Sequence, residues 1–204
     1  MVIFLCIIVS FRCQKEEDYP LPPLEKVVFY EDFNSVDLNQ PFDSQDWCQI
    51  NEFDNPFFWQ GKYNQANYSD RYLECNAYYS DQIREAVLLI SPKVDLKNLK
   101  TVYLSIEVAH HHLKLNTPEN NLDFFISSAD QEPNFCHLIE WEKINHDINY
   151  GLVAPYKFTK IVFPLPNCDR VVRLAFRYRG SGTRSHLNGA FMIDNIKLYS
   201  YENN

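Results

Sequence analysis

The chain has 204 residues, of which 46% are hydrophobic, 15% aromatic and only 5 are glycine; this is the profile of one globular domain, neither disordered nor fibrous. Lys and Arg total 19 against 27 Asp and Glu, a net charge of −8. That balance excludes the basic footprint of a nucleic-acid binder and a polybasic patch for anionic lipid.

The chain opens on an apolar run, Val2-Ile3-Phe4-Leu5-Cys6-Ile7-Ile8-Val9. As a helix it reaches about 12 Å, well short of the roughly 20 residues a bilayer span needs. Ser10-Phe11-Arg12-Cys13 and the polar Gln14-Lys15-Glu16-Glu17-Asp18 follow, so residues 1–12 read as an export signal with a processing point. The segment resembles a bacterial lipoprotein signal, in which Cys13 becomes the acylated first residue of the mature chain. Cys13-Gln14-Lys15-Glu16-Glu17 is similar to the acidic surface-export tag on outer-membrane lipoproteins of glycan-foraging Gram-negative bacteria. The resemblance implies an outer-membrane, cell-surface protein that meets the membrane only through its lipid anchor. Ser10 and Arg12 depart from it, standing where a lipoprotein box has a Leu and a small residue. A plain secretory signal, or a buried strand, is the other reading. Residues 13–25 are acidic and carry Pro20, Pro22 and Pro23, which predicts an extended tether ahead of a domain at 26–204.

From there the dominant period is two, the period of strands. Strands are predicted at Lys26–Phe33, Arg71–Tyr79, Glu85–Ile90, Val102–Ala109, Leu122–Ser128, Lys157–Phe163, Val172–Arg179 and Ala190–Tyr199. Val102, Leu104, Ile106 and Val108 fall on one face of their strand, as do Val172, Leu174, Phe176 and Tyr178. A helical turn is expected within Phe135–Ile144. About eight strands without alternating helices indicate an all-β protein, an antiparallel β-sandwich of the jelly-roll kind. In the last strand Phe191 and Ile193 share one parity, Ile196 and Leu198 the other. Keeping both pairs inside requires a β-bulge at Asp194-Asn195, which makes Asp194 a deliberately aimed polar group.

The ordered segments then carry a resemblance. Phe29-Tyr30-Glu31-Asp32-Phe33-Asn34 is followed by Phe58-Trp59-Gln60-Gly61-Lys62-Tyr63, then by Leu88-Leu89-Ile90-Ser91-Pro92-Lys93-Val94-Asp95-Leu96. Phe125-Ile126-Ser127-Ser128, Trp141, Ala175-Phe176-Arg177-Tyr178-Arg179-Gly180 and Phe191-Met192-Ile193-Asp194-Asn195-Ile196 complete the set. Together they resemble the choice-of-anchor J group, jelly-roll relatives of MAM adhesion domains and carbohydrate-binding modules, over about residues 27–200. Val87-Leu88 stands where the group usually has a Trp. The resemblance implies a structural Ca²⁺ site shared by the first and last strands, with Asp32 and Asp194 as ligands and Glu31 and Asn34 as neighbours. Oxygen donors suit Ca²⁺, which takes six to eight of them; the bland alternative is that Asp194 caps the bulge.

Other groups have a functional and a structural reading. Trp59, Tyr63 and Tyr68 lie among Asn and Gln, and aromatic faces beside amides suit sugar rings; alternatively Trp59 closes the open end of the core. Arg173, Arg177 and Arg179 offer guanidinium forks to a ligand, or pair with neighbouring acids. His110-His111-His112 at a strand end suits a metal by spacing but reads better as three solvated histidines. Glu140 and Glu142 flank Trp141 in the manner of paired glycosidase carboxylates, or as two acids on a wet face. Cys48, Cys75, Cys136 and Cys168 allow three pairings, with free thiols as the default. The expectation is a non-catalytic surface lipoprotein that binds glycan or another extracellular ligand. A glycan-active hydrolase and a protein–protein adhesion or assembly module are the alternatives.

Overall fold

The structure, a computed structural model, describes residues 23–113, 117–129, 140–145, 155–166 and 169–202. The span read as an export signal, Cys13 and most of the span read as tether lie outside these residues, as do Cys136, Cys168, His137, His146 and most of the expected helical turn.

The described chain folds into twelve strands: β1 Leu24–Glu31, β2 Cys48–Asn51, β3 Gln60–Asn64, β4 Asn67–Asn76, β5 Glu85–Ile90, β6 Val94–Asp95, β7 Tyr103–His111, β8 Asn121–Ser128, β9 Glu142–Lys143, β10 Thr159–Pro164, β11 Val171–Gly180 and β12 Ala190–Glu202. They form two antiparallel sheets. The first runs β10-β7-β12-β4-β3 with β1 also on β12, and the second runs β2-β5-β11-β8-β9 with β6 on β11. β1 begins inside the span read as tether, pairing Leu24 with Glu202 and Glu25 with Tyr201.

Alternation builds the core. The inner positions Leu104, Ile106, Val108, Phe191, Ile193 and Leu73 of the first sheet are 0% exposed, and so are Val87, Leu89, Phe124, Val172, Phe176 and Tyr178 of the second. Burying such side chains contributes about 1.5–3 kcal/mol each before entropy is counted. Tyr178 brings a polar tip into this core and satisfies it: its hydroxyl donates to Gly189 O at 2.6 Å and accepts from Ala77 N at 3.0 Å. Gly61 is dictated by contact, because a Cβ there would lie 2.2 Å from Asp37 O, under the loop that follows β1.

The expected bulge is present: the pairing of β12 with β7 slips between Asp194 and Lys197, and Asn195 takes a left-handed φ of 48°. Ile193, Ile196 and Leu198 are all buried. On its other edge β12 pairs with β4 before the bulge, through Ala190–Ile193, and with β1 after it, from Ile196 onward. The bulge is therefore also the point where one edge partner replaces another. The predicted Arg71–Tyr79 strand stops at Asn76, whose side chain accepts from Tyr78 N and caps a 3-10 turn over Ala77–Tyr79.

Candidate functional site

The outer face of the first sheet presents Gln60 and Lys62 from β3, Tyr72 and Glu74 from β4, Met192 from β12 and His111 from β7. Registers Gln60–Glu74 and Lys62–Tyr72, with Glu74 opposite Met192, put them in adjacent rows. Above them lie two hollows of about 710 and 570 Å³ that share Lys62, Glu74, Asn76 and Tyr79. Through these shared residues they form one continuous groove.

Its walls are aromatic. On one side the β3–β4 hairpin stacks Tyr63 on Tyr68, centroids 4.7 Å apart at 29°. Asn64 and Asn67 build that hairpin tip by accepting from Ala66 N and Ser69 N, the usual service of Asn in turns. On the other side Tyr156 stacks flat on His111 at 4.8 Å and 5°, and Phe158 meets Tyr72 edge-on at 5.3 Å. Tyr79 stands 78% exposed where the two hollows meet.

The floor is polar and ordered. Glu74 Oε2 lies 3.1 Å from His111 Nε2, and Asn76 Nδ2 donates to Glu74 Oε1 at 3.3 Å. Burial pushes the Glu74 carboxyl up, but the His111 hydrogen bond and charge, with Asn76 and Lys62, leave it below its ordinary value. Tyr72 is pushed up to about 12 by burial and by the nearby Glu74 and Asp70 carboxylates. The groove thus combines ring faces with fixed amides, a carboxylate and a lysine, the usual makeup of a small-ligand site.

Of the expected ligand residues, Tyr63 lines this groove, Tyr68 is stacked on Tyr63 from outside the lining, and Trp59 does not reach it. Trp59 is 0% exposed and packs edge-on against Tyr178 at 6.4 Å; it is a core residue, which corrects its assignment as a ligand aromatic. Arg177 and Arg179 lie on the other sheet. Both reach Asp123 Oδ2, at 3.1 and 2.6 Å, while Lys143 reaches Oδ1 at 2.7 Å. Arg177 also sits 4.7 Å over the Phe125 ring beside a small outer cluster of Leu88, Ile90, Phe125 and Ala175. The arginines therefore follow the acid-pairing alternative: their forks are engaged by Asp123. Glu140 and Glu142 are exposed, and Glu142 faces Arg170 at 3.8 Å. The reading of three solvated histidines is corrected as well. His110 is 5% and His111 7% exposed, because β7 is a central strand, and only His112 is open to solvent. Cys75 is a buried free thiol.

Sequence reasoning missed Tyr72, Glu74, Asn76, Tyr79 and Tyr156, and weighed His111 only as part of a metal spacing. Parity in β4 carried part of the signal, since Tyr72 and Glu74 alternate with the buried Leu73 and Cys75.

A second polar site lies at the bulge. Asp194 is 5% exposed. Its Oδ1 accepts from Asn195 N at 2.7 Å, and Asn195 Nδ2 donates to Glu107 Oε2 at 3.1 Å. Burial pushes the Asp194 carboxyl up to about 7, against the Asn195 backbone hydrogen bond and with the Asp70, Glu107 and Asp32 charges adding to the rise. Asn34 Oδ1 accepts from Arg71 N at 3.0 Å and Asp32 Oδ1 from Asn34 N at 3.1 Å, so Asn34 is tied to Asp32, whose charge acts on Asp194. Glu31 is turned to structure: Oε1 accepts from Phe33 N at 2.9 Å and Oε2 from Trp47 Nε1 at 3.3 Å. Oxygen donors and mutual repulsion suit a hard divalent cation. Among the described residues no three His, Cys, Asp or Glu side chains already close on one point, so carbonyls and water would supply most of a shell.

No family model matches the chain, and no curated protein matches its sequence. Solved structures match its fold. Three cleaved adhesin domains of Lys-gingipain from Porphyromonas gingivalis superpose with a TM-score of 0.53 at 15% identity over 83% of this chain and 96% of that chain, 0.54 at 13% over 86% and 99%, and 0.53 at 14% over 86% and 99%. A xylan-binding domain from Paenibacillus barcinonensis gives 0.48 at 12% over 88% and 97%. The likeness is one of fold: the chain is a β-sandwich of the kind found in adhesin domains.

Proposed function

We propose that the protein is a non-catalytic binding module for extracellular glycan, displayed at the surface of a Gram-negative bacterium by acylation of Cys13. The observation that carries this reading is the groove on the first sheet. Parallel aromatic pairs, Tyr63–Tyr68 and His111–Tyr156, flank a floor of Lys62, Glu74 and Asn76. Ring faces take the C–H faces of sugars, while amides, carboxylate and ammonium take their hydroxyls.

A Ca²⁺ ion at Asp194 and Asp32 completes the proposal. Its role there is to hold the first strand against the last; no reaction runs through it. The different-class alternatives stay testable. A glycan array with the purified full chain should show capture of oligosaccharide that is lost in Tyr79→Ala and Tyr63→Ala. Capture of no glycan, together with stoichiometric binding of a surface protein, would replace this reading by the adhesion one. Turnover of oligosaccharide abolished by Glu140→Gln or Glu142→Gln would make it a hydrolase. Cys13→Ala should move the protein from the membrane to the soluble fraction, and unchanged fractionation would refute the anchor.

A further inference from the structure

The β12 bulge has an effect on the outer face as well as on the core. By slipping one residue it keeps Ile196 and Leu198 inside, and the same slip puts Lys197, Tyr199 and Tyr201 on the face that carries Met192. Without it, the tyrosines would be core residues and the leucine would be wet. The face beyond the bulge is an aromatic platform. Tyr103 stacks on its register partner Tyr199 at 5.5 Å and 25°, and Tyr201 stands edge-on to both at 5.6 Å. Lys197 Nζ lies 4.8 Å over the Tyr199 ring. Val27, opposite Tyr199 on β1, is 49% exposed, and Val162, from β10, is 45% exposed. Tyr201 itself is 47% exposed. Contiguous apolar surface of this kind marks a contact site more often than chance.

What lies between groove and platform selects the occupant. Asp194 and Glu107, register partners, form an acidic band midway along the face, with Asp70 and Asp32 close enough to act on Asp194. An anionic polymer is repelled there; hydroxyl groups, which donate to carboxylates, are accepted. From Met192 in the groove to Tyr201 is about 30 Å of strand, the scale of an extended oligosaccharide. We propose that the outer face of the first sheet is one track for an extended, uncharged glycan chain, in which Tyr103 and Tyr201, propped on the buried Tyr199, form a second contact beyond the groove. This rests on the glycan reading of the groove and adds polymer length and charge as determinants.

The test uses the full chain, titrated calorimetrically with xylan, mannan and soluble β-glucan, with their oligomers from dimer to octamer, and with polygalacturonate as the charged counterpart. On the bound uncharged glycan, Tyr201→Ala and Tyr103→Ala should lower polymer affinity about three- to tenfold, the worth of one aromatic contact, and leave tetramer affinity unchanged. Tyr201→Phe keeps the ring and should keep the affinity, which separates stacking from misfolding. Tyr79→Ala should weaken tetramer and polymer alike. Unchanged polymer affinity in both alanine variants, or equal binding of polygalacturonate, would overturn the track while leaving the groove intact. No binding of any of these glycans by the unaltered protein would overturn the groove reading, and the track with it.

Discussion

The Tyr30 hydroxyl donates to Asn195 Oδ1 at 2.6 Å, so the first strand of the domain is hydrogen-bonded to the bulge in the last. Asn195 can take this role because its side chain points across β1 while its backbone occupies the left-handed region, φ 48°, which Asn tolerates better than most residues. Its Nδ2 reaches Glu107 on β7 at the same time. One residue therefore joins three neighbouring strands, β1, β12 and β7, beside the most strongly perturbed carboxylate of the site.

That carboxylate makes stability depend on pH. Asp194 is pushed up to about 7 in the fold, by burial first, from an ordinary 3.8. Below about pH 4 it is neutral in both states; between 4 and 7 the unfolded chain releases a proton that the folded chain keeps. Metal-free protein should lose about 1–2 kcal/mol through this group as pH rises across that window, the figure being discounted for solvent screening. Urea unfolding in EDTA across pH 4–8 measures it, and Asp194→Asn should flatten the slope. Added Ca²⁺ should reverse it, raising the melting temperature more at pH 7.5 than at pH 5. A Ca²⁺-insensitive melting temperature at both would remove the ion from the account.

Asp123 has the opposite sign. Burial pushes its carboxyl up, yet the Lys143 hydrogen bond and the Arg179 and Arg177 charges hold it below its ordinary value. Its contribution is present above the unfolded value of 3.8 and is lost as pH falls through the lower folded one. Asp123→Asn should cost about 2–3 kcal/mol at neutral pH, because three cations lose their shared partner. The difference from the unaltered protein should narrow below about pH 3. Chemical denaturation at pH 7 and pH 2.5 checks both statements.

Tyr178→Phe is a test of the core. It leaves the Gly189 carbonyl and the Ala77 amide without the partner each has now. Two buried groups unpaired in this way cost roughly 2–3 kcal/mol, a drop of about 5–10 °C in melting temperature for a chain of this size. A change below about 2 °C would mean that water replaces the hydroxyl.

The aromatic residues should separate cleanly in a combined stability and binding assay. Trp59→Ala removes a fully buried indole and should cost about 3–5 kcal/mol. Tyr68→Ala and Tyr79→Ala remove exposed rings, 68% and 78% accessible, and should change stability by less than about 0.5 kcal/mol while weakening glycan capture. A destabilised Tyr79→Ala with unimpaired capture would contradict the assignment of the groove.

Much of the architecture was legible in the chain. Alternation at Val102–Val108 and Val172–Tyr178 placed two central strands with the correct faces inside, since a residue's parity follows from the backbone alone. The clash of parities at Phe191-Ile193 and Ile196-Leu198 located the bulge for the same reason. Short or loop-bound strands carried no such signal: Cys48–Asn51 and Gln60–Asn64 are each half-buried, so polar residues break their pattern. The histidine run misled because its polarity suggested solvent, whereas Glu74 reaches across β12 from β4 to supply a partner for His111.

The sequence by itself determined the all-β class, the core faces of the long strands and the phase slip that aims Asp194, because each depends on positions a few residues apart. Only the tertiary structure decided which side chains share a surface. Tyr72, Glu74, Met192 and His111 come from three strands far apart in the chain, and Trp59 is withdrawn from its polar neighbours into the core by a loop that packs on Gly61. Sheet order sets such neighbourhoods, and sheet order is fixed by burying both apolar faces at once.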